Sequence, residues 1–240
     1  MYRSLSIAAI APVFDEAAKI GEVVSRTPRE VVDFLLVVDD ASTDGSAAIA
    51  SNGGAEVISL QRRSGVGAAI RAGYRAALAR GADVAVVMAG NDKDAPEEIP
   101  SLLDPIADGR ADFAQGSRYA GGPRERGAMP RYRRVATRIH PLIFSWVAGR
   151  RVSESTNGFR AVHRRVLQDP RLDLDQRWLD GYALEPYLYL RAIQLGHRTV
   201  EVPVTKIYPP RVLGQTKMRP GTDWWEMLKP LVLVGLGLRR

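Results

Sequence analysis

Short runs of consecutive apolar residues, each closed by acids, amides or glycine, recur along the first half of the chain. Ser4–Ala11, Phe34–Val38, Glu56–Leu60, Asp83–Met88 and Asp112–Gln115 have the length and composition of strands, several of them apolar enough to be buried on both faces. Between them the pattern shifts to a helical period, in Glu16–Ser25, Gly45–Ser51, Val66–Ala79 and Pro96–Ala107. Asp94-Ala95-Pro96-Glu97-Glu98 supplies a helix start, with a capping residue, Pro near the first turn and acids at the positive end of the dipole. Regular alternation of this kind predicts an α/β fold: a Rossmann-like, mostly parallel sheet flanked by helices.

After Gln115 the texture changes. From Arg118 to Arg165 the chain is rich in Arg, and Glu125 and Glu154 are its carboxylates. Gly121-Gly122-Pro123 marks a loop. Arg131–Val147 reads as an amphipathic helix, with Val135, Ile139, Leu142, Ile143 and Trp146 set against Arg131, Arg134 and Arg138; Pro141 predicts a kink or a second start. Gly181–Leu195 is a further helix. Thr199–Ile207 reads as a strand, leading through Pro209-Pro210 into a polar loop that ends at Gly221. No internal repeat or low-complexity linker divides the chain.

Composition narrows the function classes. The 240 residues are 45% hydrophobic, enough for one α/β domain with a substantial core. Cysteine is absent, which excludes disulfides, thiolate metal sites and a cysteine nucleophile. His140, His163 and His197 are dispersed, against a His-rich metal site. A net charge of +7 and a pI near 9.9 favour anionic partners. No signal peptide is visible and no apolar run approaches the ~20 residues that span a bilayer. A cytoplasmic protein, soluble or peripheral on the inner face of the membrane, is expected.

The chemistry gathers where strands end. Leu35-Leu36-Val37-Val38 runs into Asp39-Asp40-Ala41-Ser42-Thr43-Asp44-Gly45-Ser46, at the sheet edge where open α/β folds bind ligands. Adjacent Asp39 and Asp40 repel unless a donor, ligand or ion uses them, and they suit ribose hydroxyls or a base N–H. Asp44 reads equally as a helix cap. The first strand delivers Asp15 and Glu16 to the same edge. Gly65 and Gly67, before a small-residue helix, allow close backbone approach to a phosphate or base, or simply tight helix packing. The Gly-Lys-Ser/Thr ending of a Walker loop is missing. Asn91, Asp92 and Asp94 after the fourth strand suit a hard cation such as Mg²⁺ or Mn²⁺ bridging phosphates, while Lys93 suits phosphate directly.

Taken in order, these residues resemble inverting glycosyltransferase family 2. Pro12…Asp15-Glu16, Val37-Val38-Asp39-Asp40-x-Ser42-x-Asp44-Gly45-Ser46 and Gly65-x-Gly67-Ala68-Ala69-x-Arg71-x-Gly73 carry the likeness. Ser155-Thr156-Asn157-Gly158-Phe159-Arg160-Ala161 is similar to the Gly-Phe-Arg signature of the dolichol/polyprenyl-phosphate sugar transferase branch. Gly181-Tyr182-Ala183-Leu184-Glu185, Glu201-Val202-Pro203-Val204 and Gly214–Met218 follow in sequence. The resemblance runs from Ser4 to about Met218. It implies a GT-A fold as one domain over 1–240, with a nucleotide-sugar half (1–117), an acceptor-side half (118–220) and an apolar, amphipathic C-terminal segment (221–240).

The same resemblance implies roles. Pro12, Asp15 and Glu16 flank the base; Asp40, supported by Asp39, holds the base or ribose; Gly65 and Gly67 lie under the nucleotide. Val66 stands where many members carry a basic residue, with Arg71 as the substitute. The family's Asp-x-Asp falls on Ala89-Gly90-Asn91, where no acid is present, and Asp92-Lys93-Asp94 is displaced by three positions. Two readings stand: Asn91, Asp92 and Asp94 form a weakened Mg²⁺ or Mn²⁺ site, or Lys93 replaces part of the metal's charge. Asp92, Asp94, Arg160 and Glu185 are the catalytic candidates. Arg118, Arg131, Arg160, Lys217 and Arg219 are candidates for the acceptor phosphate, the last two on a mobile lid. Glu185 is a base or orients Arg160.

The implied reaction moves a sugar, with inversion, from a UDP- or GDP-linked donor to a polyprenyl phosphate. A soluble enzyme acting on a small-molecule, glycan or peptide hydroxyl is the alternative, and a non-catalytic nucleotide-binding descendant a third. Nucleic acid is not an expected partner, because the carboxylate-rich sheet edge repels a polyanion. Arg131–Val147 and Trp224–Leu238 mix apolar and basic residues as membrane-surface segments do, and would equally serve a homodimer interface.

Overall fold

The computed structural model describes residues 1–122, 124–127, 129, 131–208 and 221–239. Strand β1 (Ile7–Val13) lies between β2 (Phe34–Asp39) and β4 (Val84–Val87), parallel to both, and β3 (Glu56–Ser59) extends the sheet beyond β2. The second half adds β5 (Phe113–Ser117), β7 (Arg160–His163) and β8 (Thr199–Pro203), giving the order β3-β2-β1-β4-β7-β5-β8. β7 runs antiparallel between β4 and β5. A separate pair joins β6 (Glu125–Arg126) to β9 (Lys206–Ile207).

Strand alternation builds two cores. Ala8 and Ile10 of β1, with Leu36, Val38 and Val87, pack beneath α3 (Val66–Ala79) and α7 (Leu184–Gln194). Ile7, Ala9, Ala11 and Val13, with Val37 and Val86, pack beneath α1 (Ala17–Arg26) and α4 (Ile99–Ala107). α2 (Ser46–Asn52) lies on that second face through Ala50. With both faces covered, the strands read as continuous apolar runs. Helix α3 lies against β1 itself: a Cβ on Gly73 would stand 2.4 Å from a methyl of Ile10. Stacked rings of Phe113, Tyr189 and Phe144, with centroids 5.0 to 5.1 Å apart, fix α5 (Arg131–Ala148) and α7 over the first core.

Three sequence expectations change. The first strand begins at Ile7, because residues 1–5 form a turn in which Arg3 and Ser4 have positive φ. The apolar stretch 199–207 divides between β8 and β9, which belong to different sheets. Pro141 lies inside an uninterrupted α5, where the Ser145 hydroxyl donates to the Pro141 carbonyl (2.6 Å). The two-residue β6, β7 and the short α6 (Arg164–Leu167) that continues from β7 were not expected. At the far end, α8 (Thr222–Gly235) packs on α5 and α7. Among the described residues, no helix is long and apolar enough to cross a membrane.

Candidate active site

The carboxyl ends of β1, β2 and β4 and the amino end of antiparallel β7 share one sheet edge. Above it opens a cleft of about 770 Å³, walled on the far side by residues of α5, α8 and the segment before α7. Pro12, Glu16, Asp40, Gly65, Asn91, Lys93, Arg118 and Glu185 all line it.

Asp40 is buried, and its two oxygens accept N–H bonds from Ser64 (2.6 Å) and Gly65 (2.8 Å). It therefore shapes the glycine loop as well as facing the cleft. That loop needs its glycines because the chain's own backbone presses on it. A Cβ on Gly65, at φ +102, would stand 2.4 Å from the Asp180 carbonyl; one on Gly67 would stand 2.0 Å from that of Leu179. Glu16 sits at the start of α1 in an ion pair with Lys19 (2.5 Å). Phe14 stacks under the Arg63 guanidinium, 4.1 Å from ring to cation, at the same wall.

Asp39 and Asp15 stay outside the cleft lining. Asp39 accepts the Ser42 N–H (3.2 Å) and Asp15 the Thr43 N–H (2.8 Å), so both tie loops together. Asp44 accepts from Ser46 and from the Ala17 N–H; burial pushes its carboxyl up, but these bonds outweigh that and hold it below the usual range. Arg71 is also elsewhere, bound to Asp180 and the Leu174 carbonyl, and the phosphate contact expected of it is not formed by its placement.

The loop after β4 departs furthest from expectation. Asp92, with φ +57, leaves the cleft lining and pairs with Arg26 of α1 (2.6 Å). Burial nevertheless raises its pKa, opposed by Arg26. Asp94 is buried, with one oxygen on Lys206 Nζ (2.6 Å) and the other on the Ala89 N–H (2.8 Å). Lys206 also donates to Asn157 Oδ1 (3.1 Å). Asn91 Oδ1 is buried and has no hydrogen-bond partner among the described residues. Among the described residues, no three His, Cys, Asp or Glu side chains converge as a cation would require. The donor set does not fit a divalent ion held as the family motif holds it, since both acids already carry protein cations. Lys93 is 5% exposed, faces the cleft and forms no ion pair among the described residues. Burial, then the nearby Arg133, Lys206 and Lys19, push its ammonium down to about 7.

On the acceptor side, Arg160 is buried rather than open to a phosphate. Its guanidinium donates to the carbonyls of Asn157 (2.7 Å), Gly158 (3.1 Å) and Glu185 (2.9 Å), and to Glu185 Oε1 (3.0 Å). Sequence reasoning assigned it the acceptor; the placement makes it the anchor of Glu185, which does face the cleft. Arg118 is buried at the wall, donating to Glu154 (2.6 Å), the Tyr208 hydroxyl (2.7 Å) and Thr156. The side chain of Arg131, and Lys217 and Arg219, lie outside the described residues. Lys206, Arg63, Phe14, Arg133 and Lys229 line the cleft without having been singled out, and Tyr182 joins them from the Gly181–Glu185 motif. Nothing in local spacing marks the first five, because they arrive from five separate segments.

The sequence model described as Glycosyl transferase family 2 matches residues 9–169. Polyprenol monophosphomannose synthase of Mycolicibacterium smegmatis is 35% identical over 216 residues, covering 87% of this chain and 79% of that protein. Undecaprenyl-phosphate mannosyltransferase of Micrococcus luteus is 32% identical over 226 residues, 90% of this chain and 89% of the relative. Among solved structures, glucosyl-3-phosphoglycerate synthase from Mycobacterium tuberculosis, in complex with Mn²⁺, UDP and glucosyl-3-phosphoglycerate, superimposes with a TM-score of 0.72. It is 21% identical, over 99% of this chain and 82% of that one, a likeness of fold.

Proposed function

This chain belongs to glycosyl transferase family 2, and on that premise we propose that it transfers a sugar, with inversion, from a UDP- or GDP-linked donor to a polyprenyl phosphate. One observation carries the acceptor assignment: the cleft opens beside two helices that expose apolar stripes flanked by arginine. On α5, Leu142 is 70% and Trp146 85% exposed, with Arg134 and Arg138 also in solvent. On α8, Trp225 and Val232 are exposed, followed by Leu236 and Leu238. Apolar side chains with basic neighbours suit the surface of an anionic membrane, where the phosphate of a polyprenyl lipid lies. The names of the relatives point the same way.

In this reading the base and ribose lie against Pro12, Glu16 and Asp40, with the diphosphate toward Lys93. An oxygen of the acceptor phosphate forms the new bond to the anomeric carbon from the face opposite the diphosphate. The bond to the diphosphate oxygen breaks, and the nucleoside diphosphate leaves with the electron pair. A phosphate oxygen is already anionic at neutral pH, so this step calls for no general base. Arg133, which lines the cleft, is the proposed acceptor-phosphate contact, together with Arg131, Lys217 and Arg219, while Arg118, its donors taken by Glu154, Tyr208 and Thr156, shapes the wall behind them. Cytoplasmic residence on the inner membrane face follows from the same reading, and a homodimer through α5 and α8 is the competing use of their stripes. A hydroxyl acceptor is the second reading, favoured by Glu185, a carboxylate facing the cleft that can take its proton.

The test offers the purified protein a panel of UDP- and GDP-sugars with undecaprenyl phosphate in vesicles containing anionic lipid. Sugar appearing in the lipid fraction supports the proposal. Transfer that proceeds equally well to soluble hydroxyl acceptors, with none to lipid, favours the second reading.

A further inference from the structure

The loop that follows β4 has exchanged its charge. Where the family resemblance expects two acids, Ala89 and Gly90 offer no side-chain ligand and Asn91 a neutral amide. The acids that follow are matched by cations of the protein, Asp92 by Arg26 and Asp94 by Lys206. Lys206, a residue of the cleft lining, reaches Asp94 from β9, 112 residues away. Each Asp94 oxygen already holds a donor, so a divalent ion there would have to stand against a buried ammonium or displace it. Removing one member of a buried ion pair is strongly unfavourable.

Beside this neutralised pair stands Lys93. It is almost wholly buried, it faces the cleft, and among the described residues it has no carboxylate in ion-pair contact. A buried ammonium without a counter-ion at a ligand-binding sheet edge is a site for an anion. The Asp94–Lys206 pair contributes no net charge, and the nearby Glu16 is itself paired with Lys19, which leaves Lys93 as the charge available to an anion at the place where a family member would hold its metal.

We propose that Lys93, held in place beside the Asp94–Lys206 pair, takes the part of the divalent cation and binds the donor diphosphate, making donor binding independent of metal. The inference rests on the nucleotide-sugar reading above and assigns the groups that serve it. An ammonium is a point-charge phosphate ligand with three donors, and because Lys93 is buried in the cleft wall its attraction to phosphate oxygens exceeds its value in bulk water. During transfer the bond from the anomeric carbon to the diphosphate oxygen breaks, and the electron pair stays on that oxygen. A fixed cation there stabilises the departing charge without reorganisation.

Calorimetric titration with UDP and with GDP, each in EDTA and in Mn²⁺, tests this. The expected result is one nucleotide binding with affinities that agree within about threefold in the two buffers, a difference of roughly 0.7 kcal/mol or less. Lys93→Met should then weaken binding by about tenfold or more, as loss of a charged hydrogen-bond partner predicts, and Lys93→Arg should retain most of it. Far-UV circular dichroism and thermal melting confirm that each variant is folded. Binding seen only with Mn²⁺, or a folded Lys93→Met that binds as the parent does, overturns the inference and leaves the nucleotide-sugar reading intact. Binding of neither nucleotide in either buffer contradicts that reading itself, and the inference with it.

Discussion

Asp40 joins the sequence reading to the geometry most directly. Its position after an apolar strand marked it as a ligand-edge carboxylate, and it does line the cleft. What spacing could not reveal is that Ser64 and Gly65 already donate to it. Asp40→Ala is therefore expected to cost about 1–3 kcal/mol of stability from unpaired N–H groups, as well as nucleotide affinity. Urea unfolding measured beside nucleotide titration separates the two effects. Arg160 shows the opposite outcome. Its signature was legible, but its role was not, because the partners that bury it lie in the segment 157–158 and, 25 residues further on, at Glu185. As the residue that positions Glu185, Arg160→Met should lower turnover by about tenfold or more while nucleotide affinity stays within about threefold. Equal loss of both would make it merely structural.

At the level of elements, β1, β2 and β4 were legible because burial on both faces leaves uninterrupted apolar runs. β7 was not, since its four residues Arg-Ala-Val-His carry charge and owe their strand conformation to pairing with β4 and β5. The glycine loop borders the cleft, and of its two readings the geometry accounts for tight packing: residues 179–181 press directly on Gly65 and Gly67. Gly67→Ala is expected to destabilise the fold by about 1–3 kcal/mol or more, because the contacting atoms are backbone carbonyls that cannot rotate aside. Thermal melting measures it. Helices α5 and α8 raise a separate expectation. Replacing Leu142 and Trp146 by Glu should abolish sedimentation with anionic vesicles and leave the melting temperature within a few degrees, since both side chains are exposed. Retained vesicle binding would remove the membrane role of α5.

Over the whole molecule, polar groups that tie distant segments together set the response to acid. His140 on α5 donates from Nε2 to the Met227 carbonyl of α8 (3.1 Å) and accepts the Ser155 hydroxyl at Nδ1 (2.8 Å). Burial lowers its pKa, so the unfolded chain takes up this proton first, and stability declines as pH falls below about 6.5. Asp112 is held below the usual range: burial raises it, but bonds from Arg198 outweigh that. With Asp44 it contributes stability that is full above about pH 4 and lost as pH falls further. Melting temperature against pH should therefore fall in two stages, and His140→Gln should reduce the upper one, to which His163, also lowered by burial, contributes as well.

Where the sugar goes decides the function. Phosphorus and proton NMR of the purified product of a reaction with undecaprenyl phosphate addresses this directly. The account predicts that the lipid phosphomonoester becomes a diester to the sugar's anomeric carbon, with the configuration opposite to that of the donor. An unchanged lipid phosphate with the sugar on a hydroxyl, or a diester of retained configuration, would contradict it.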